Sequence, residues 1–145
     1  MFVSEIYAIE DLLLYRSSVS NSDTFDVTLP NKFEITSNVT KTSSTYAYVY
    51  YQIYNDSTLI YEIGALREKG SLSIRKNGDT LVADNNSSII QLNSQTELKY
   101  TYDNGSQTLS ANNTTITGTD STTINKFKSV HIEQYTVTEL KIKPL

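Results

Sequence analysis

The sequence predicts an all-β domain of antiparallel strands, and three observations carry that prediction. Two Asn-Gly dipeptides, Asn77-Gly78 and Asn104-Gly105, each sit between short segments of alternating apolar and polar residues. Asn-Gly accepts the positive φ angles of a type I′ hairpin turn. The pairing imposed by such turns sets Ile74 opposite Leu81 and Leu72 opposite Ala83 in one hairpin, and Tyr100 opposite Leu109 and Leu98 opposite Ala111 in the other. Turn chemistry and hydrophobic pattern therefore agree independently. Third, about twelve such segments follow one another at the 8–12-residue spacing of turn signals, with no sustained helical periodicity, which is the pattern of a sandwich or barrel.

In order along the chain, Ile6 to Tyr15 reads as an opening strand kinked at Glu10-Asp11, although its Leu run also suits a short helix. Ser17 to Asp23 is a polar loop. Phe25, Val27 and Leu29 alternate up to Pro30-Asn31, and Phe33, Ile35, Ser37 and Val39 alternate after it, the simplest account being two strands joined by that turn. The next strand, Tyr46 to Tyr54, runs to Asn55-Asp56-Ser57 and returns through Thr58 to Ile63. A three-residue loop there pairs Ile53 with Leu59, Tyr51 with Tyr61 and Val49 with Ile63. A two-residue loop would turn Tyr50, Gln52 and Tyr54 inward, since a slip of one residue exchanges the faces, and the three-residue loop is expected because burying Gln52 with several phenols leaves polar groups needing partners. Asn112-Asn113 is a further tight turn, returning Leu109 to Ile116. Thr117 to Asn125 reads as loop, and Phe127 to Ile132 and Thr136 to Lys143 close the chain, the last bulged between Val137 and Leu140 where the spacing is odd.

Composition narrows the function. At 145 residues and 16.3 kDa the chain is one domain, able to bury a two-layer core without covalent staples. There is no Cys, so disulfides and thiolate metal sites are excluded, and the lone His131 excludes a multi-histidine zinc centre. A net charge of −4, with 12 basic residues scattered along the chain, argues against a phosphate-backbone partner. No basic n-region with an apolar core is visible at the start, and no segment approaches membrane-spanning length. The expectation is a chain assembled without Sec export, as virion proteins are, or one domain of a longer surface protein.

The stretch around which the rest is arranged is Tyr46-Ala-Tyr-Val-Tyr-Tyr-Gln-Ile-Tyr54. With the period of two of a pleated strand, Ala47, Val49, Tyr51 and Ile53 share an apolar face, and Tyr46, Tyr48, Tyr50, Gln52 and Tyr54 share the other. That second face has two readings. As a sugar platform, its rings stack on the C–H side of a pyranose while phenols and the Gln52 amide bond the hydroxyls. As a structural ladder, the same rings stabilise cross-strand pairs or are covered by an oligomer partner.

The order of these pieces resembles the concanavalin A-like jelly roll of legume lectins, laminin G-like domains and many glucanases. The resemblance is carried by Phe25-Asp-Val-Thr-Leu-Pro-Asn-Lys-Phe-Glu-Ile-Thr36, by Leu98-Lys-Tyr-Thr-Tyr-Asp-Asn-Gly105 followed by Thr108 to Ile116, and by the closing Tyr135 to Leu145. It implies an antiparallel two-sheet β-sandwich. The Ser/Thr/Asn-rich composition is also similar to receptor-binding modules of virus tails and to surface adhesin domains. Glycosidases of this fold carry two carboxylates on one strand, which retention requires about 5–5.5 Å apart. The nearest acid pairs, Glu62 with Glu68 and Glu133 with Glu139, do not share a strand face in that way, so no enzyme is expected. Lectins of the fold hold Ca²⁺ through Asp and Asn, and Asp84-Asn85-Asn86 and Asp103-Asn104 are the candidates. Turn formation is their simpler role.

His131, beside Val130 and Ile132, reads as a structural histidine. Lys126, Lys128, Lys141 and Lys143 read as solvated charges that discourage edge pairing. Asn-x-Ser/Thr triplets at Asn38, Asn55, Asn104 and Asn113 are weak signals where Ser and Thr are abundant. The expectation is thus a single β-sandwich over residues 1–145: a non-catalytic recognition module without cofactor or metal, on a virion tail or cell surface. Its expected partner is a cell-surface glycan or polysaccharide bound through Tyr46, Tyr48, Tyr50, Gln52 and Tyr54. Nucleic acid and membrane insertion are not expected. Repetition in a homo-oligomer such as a trimer would raise the effective affinity of a shallow site. The alternative is a purely structural sandwich, a spacer, decoration or oligomerisation domain, whose tyrosine row is an assembly interface.

Overall fold

The computed structural model describes residues 12–43, 46–66, 71–84 and 89–145. Among the described residues, twelve strands form two six-stranded antiparallel sheets, with β4 to β7 consecutive in one and β8 to β10 consecutive in the other. Sheet I contains β1 (Leu14–Val19), β12 (Tyr135–Pro144), β3 (Lys32–Lys41), β8 (Gln95–Asp103), β9 (Ser106–Ala111) and β10 (Thr114–Thr119), in that spatial order. Sheet II contains β2 (Val27–Thr28), β11 (Lys126–Glu133), β4 (Tyr48–Asn55), β5 (Thr58–Leu66), β6 (Ser71–Lys76) and β7 (Asp79–Ala83). The inner faces enclose one core of alternate residues, among them Phe33, Ile35 and Val39 of β3, Val49, Tyr51 and Ile53 of β4, and Leu98 and Tyr100 of β8.

The two Asn-Gly turns form as the sequence requires, with Asn77 and Asn104 at φ 51° and 50° and Gly78 and Gly105 also positive. Tyr100 pairs with Leu109, and Ile116 returns to Leu109 through Asn112-Asn113, both at positive φ. The bulge expected in the last strand falls between Thr138 and Lys141, with Glu139 at φ 52°.

Several local expectations are corrected. The β4–β5 connection is the shorter one, with Asn55 paired to Thr58, yet Tyr50, Gln52 and Tyr54 do not turn inward. Ile60 is an extra residue on β5, so Tyr54 pairs with Leu59 and Ile53 with Tyr61, which gives Tyr51–Ile63 and Val49–Ala65. The bulge restores the parity that the short turn would have reversed. In the β6–β7 hairpin Leu81 is likewise extra, so Ile74 faces Val82 and Ser73 faces Ala83. The strands on either side of Pro30-Asn31 do not form a hairpin: β2 belongs to sheet II and β3 to sheet I. The Ser17-to-Asp23 loop begins later than expected, since β1 extends to Val19, and β10 runs on to Thr119. The expected strand start at Ile6 and its kink lie outside the described residues.

Two polar bridges cross the core. Tyr51 of sheet II, fully buried, shares a 2.6 Å hydrogen bond with the Ser37 hydroxyl and donates to the Leu98 carbonyl at 2.9 Å, both in sheet I. Burial pushes its phenol pKa well above the ordinary value. At one end of the sandwich, Asp120 accepts from Tyr61 of β5, from Lys76 Nζ of β6 at 2.9 Å and from the Thr122 amide at 3.0 Å. Tyr100 donates to the buried Gln107 at 2.7 Å beside this cluster. Burial alone would raise the Asp120 pKa, but the donors from Lys76, Thr122 and Tyr61 outweigh it and hold the carboxyl well below its usual range.

β4 leaves no room for a side chain at Gly64 of β5, where an added Cβ would lie 1.8 Å from the Val49 carbonyl oxygen. Gly64→Ala is expected to force the strands apart and to cost about 2–3 kcal/mol. The cost should appear as a lower urea midpoint at unchanged m-value, and an unmoved midpoint would contradict the contact. Because the folded pKa of Asp120 is depressed, its stabilisation is present above the unfolded carboxylate pKa and is lost as pH falls below about 4. The stability gap between wild type and Asp120→Asn, measured by urea titration, should be widest near neutrality and narrow in acid. A gap independent of pH would contradict the network.

Candidate functional site

The outer face of sheet II carries the site, and its layout follows from strand register. Crossing β11, β4, β5 and β6, one row reads Glu133, Tyr48, Leu66, Ser71. The next reads His131, Tyr50, Gly64, Ser73. The third reads Ser129, Gln52, Glu62, Arg75. A groove of about 530 Å³ opens here, lined by Tyr46, Ala47, Tyr48, Tyr50, Glu62, Leu66, Arg75 and His131 among the described residues. Its volume lies within the range of small-ligand sites, and its lining mixes aromatic surface with a few polar groups.

The tyrosines expected to act together part company. Tyr46 is 74% exposed and packs edge-on to Tyr48 at 5.8 Å between ring centroids. Tyr48 stacks on Tyr50 at 5.9 Å and meets the His131 ring edge-on at 4.9 Å. Tyr50 points outward by parity yet is only 5% exposed, a position helped by Gly64 opposite it, which has no side chain. It forms part of the wall and offers little open face. Tyr54 lies beyond the polar row, outside the groove, with Lys128 Nζ 5.3 Å from its ring centroid. Gln52 is occupied at both ends: its oxygen accepts from the Ser129 hydroxyl at 2.6 Å and its amide donates to Glu62 at 2.9 Å. Its observed role is to orient Glu62.

Besides Ala47, which alternation set on the inner face, four lining residues, Glu62, Leu66, Arg75 and His131, were not part of the expected site. Their signal was present only in part. They fall on outward positions of neighbouring strands, but the alignment of Glu62, Leu66 and Arg75 with β4 depends on the Ile60 bulge, and that of His131 on the β11–β4 register. His131 was expected to be structural, and it stands on the outer face against Tyr48. Of the lysines expected to be solvated, Lys126 pairs at the surface with Asp26 at 3.0 Å and Lys143 with Glu34 at 3.6 Å.

Of the two acid pairs, only Glu133 with Glu139 falls within the described residues. Glu68 lies outside the described residues. Glu133 ends β11 in sheet II, whereas Glu139 sits on the β12 bulge in sheet I and accepts from Tyr15. Of the calcium candidates, Asp103 faces Lys32 at 3.7 Å and accepts from the Asn104 side-chain Nδ2 at 3.1 Å, while Asn85 and Asn86 are outside the described residues. Among the described residues no cluster of His, Asp and Glu could hold a metal ion, and no helix is long and apolar enough to cross a membrane.

No protein-family model matches the sequence, and neither does any curated protein sequence compared with it. Solved structures do match in shape. Sheep galectin-11 in complex with glycerol superposes with a TM-score of 0.60 at 10% identity, over 88% of this chain and 99% of that one. A Caenorhabditis elegans galectin gives 0.59 at 14% identity, over 86% and 99%. Trypanosoma rangeli sialidase in complex with sialic acid gives 0.64 at 10% identity, covering 94% of this chain and 31% of the sialidase. The chain has the concanavalin A-like fold, an all-β sandwich of two six-stranded antiparallel sheets. It shares the galectin version of that architecture at identities that speak for fold alone.

Proposed function

We propose that this chain is a non-catalytic recognition module that binds carbohydrate in the groove on the outer face of sheet II. The observation carrying the reading is the composition of that groove: aromatic surface from Tyr46 and Tyr48 beside a carboxylate, a guanidinium and an imidazole. An apolar ring face for pyranose C–H groups next to directional polar groups for hydroxyls is what sugar recognition needs. The likeness to galectins in fold supports it. Absence of catalysis is part of the proposal, supported by the separation of Glu133 from Glu139 onto different sheets. We also assign the chain to a virion tail or cell-surface appendage and to a homo-oligomer, because one shallow groove gains effective affinity by repetition.

A second reading, an assembly interface, is favoured by one observation, the 74% exposure of the Tyr46 ring. One pair of measurements separates the two. Tyr48→Ala should weaken glycan-array binding at least tenfold while the melting temperature moves by less than about 3 °C. Light scattering of both proteins should give the same oligomer. If the wild type binds no glycan and the substitution changes the oligomeric state instead, the surface is an interface.

A further inference from the structure

Glu62 and Arg75 are direct cross-strand neighbours on β5 and β6 and line the same groove, yet they form no ion pair with each other. Opposite charges in that position ordinarily close on one another. Here each is held away from the other. The Glu62 carboxylate is turned toward β4 by the Gln52 amide, which is itself fixed by Ser129. The Arg75 guanidinium is turned the other way, donating to the Gly78 carbonyl at 2.6 Å in the β6–β7 turn. The pair is thereby set apart with acceptor and donor facing one opening, next to the Tyr48 and Tyr50 rings.

We propose that this split pair is the specificity element of the groove, and that it takes a neutral saccharide through two adjacent hydroxyls. The inference rests on the carbohydrate reading above and adds the ligand class. A hydroxyl both donates and accepts, so one of two vicinal hydroxyls donates to Glu62 while its neighbour accepts from Arg75. Both contacts are charge-assisted, the stronger class of hydrogen bond. A carboxylated sugar fits poorly: Arg75 would welcome its carboxylate, but Glu62, held in the same lining by Gln52, would repel it. Among the described residues the other ionisable side chains at the groove are His131, Glu133 and the tyrosines, and none of these is a lysine or arginine that would reverse this balance.

The test is affinity electrophoresis of the purified chain through gels containing dextran, galactomannan, alginate or polygalacturonate. The neutral polymers are used before and after periodate oxidation, which cleaves vicinal diols to aldehydes, followed by borohydride reduction of those aldehydes to alcohols. The expected result is retardation by at least one neutral polymer, lost after periodate and weakened at least tenfold in both Glu62→Gln and Arg75→Gln. The two substitutions lie on different strands, so misfolding of one leaves the other informative, and circular dichroism checks both. Retardation that survives periodate, or is unchanged in both variants, overturns the inference while leaving carbohydrate binding intact. So does preferential retardation by the polyuronates. Retardation by none of the polymers, with the glycan array also blank, overturns carbohydrate binding itself and this inference with it.

Discussion

A strand can send only every second residue inward, and in this protein Tyr51 decides which ones β4 sends. Its ring fills the centre of the sandwich and its hydroxyl reaches Ser37 and Leu98 in the opposite sheet. A buried phenol without those partners would cost about 1–3 kcal/mol, so a register that moved Tyr51 outward loses both the packing and the satisfied hydroxyl. With Tyr51 inward, Tyr48, Tyr50 and Gln52 must face out. The groove is therefore a consequence of core packing and needs no separate folding instruction.

The bulges are what reconcile this parity with the turns. Asp56, at positive φ, closes the β4–β5 hairpin in two residues, which alone would oppose the wrong faces. The extra Ile60 corrects the phase, itself stays 8% exposed, and gives its carbonyl to the Asn77 amide of the next turn. One inserted residue thus keeps the apolar set together and slides β5 along β4, which places Glu62 opposite Gln52 and Leu66 opposite Tyr48. In β7 the extra Leu81 instead moves the partner of Ile74 from Leu81 to Val82.

These devices explain what could be read from the sequence and what could not. Alternation and Asn-Gly chemistry are local, so the strands, the two hairpins and the inward set of β4 were legible, as was the bulge after Val137 with its odd spacing. The bulge at Ile60 leaves the hydrophobic pattern as it was and the bulge at Leu81 replaces one apolar partner by another, so the true partners of Ile53 and Ile74 were not. Pro30-Asn31 looks the same whether the chain turns within a sheet or passes between sheets. The site was legible only as a row along β4. Its working part runs across strands, and whether Gln52 faces a ligand or orients Glu62 depends on a side chain 10 residues away in sequence. Asp120, which ties both sheets together, lies in a stretch with no pattern beyond loop composition.

The most direct check on the placement of the tyrosines is their reactivity in the folded protein, mapped by mass spectrometry after mild nitration. Tyr46, exposed at the lip of the groove, should react first, and Tyr51 and Tyr100, sealed in the core with phenol pKa values pushed up by burial, should react only after denaturation. Nitration of Tyr51 as fast as Tyr46 in the native state would contradict the inward assignment of β4, and with it the groove built on its other face.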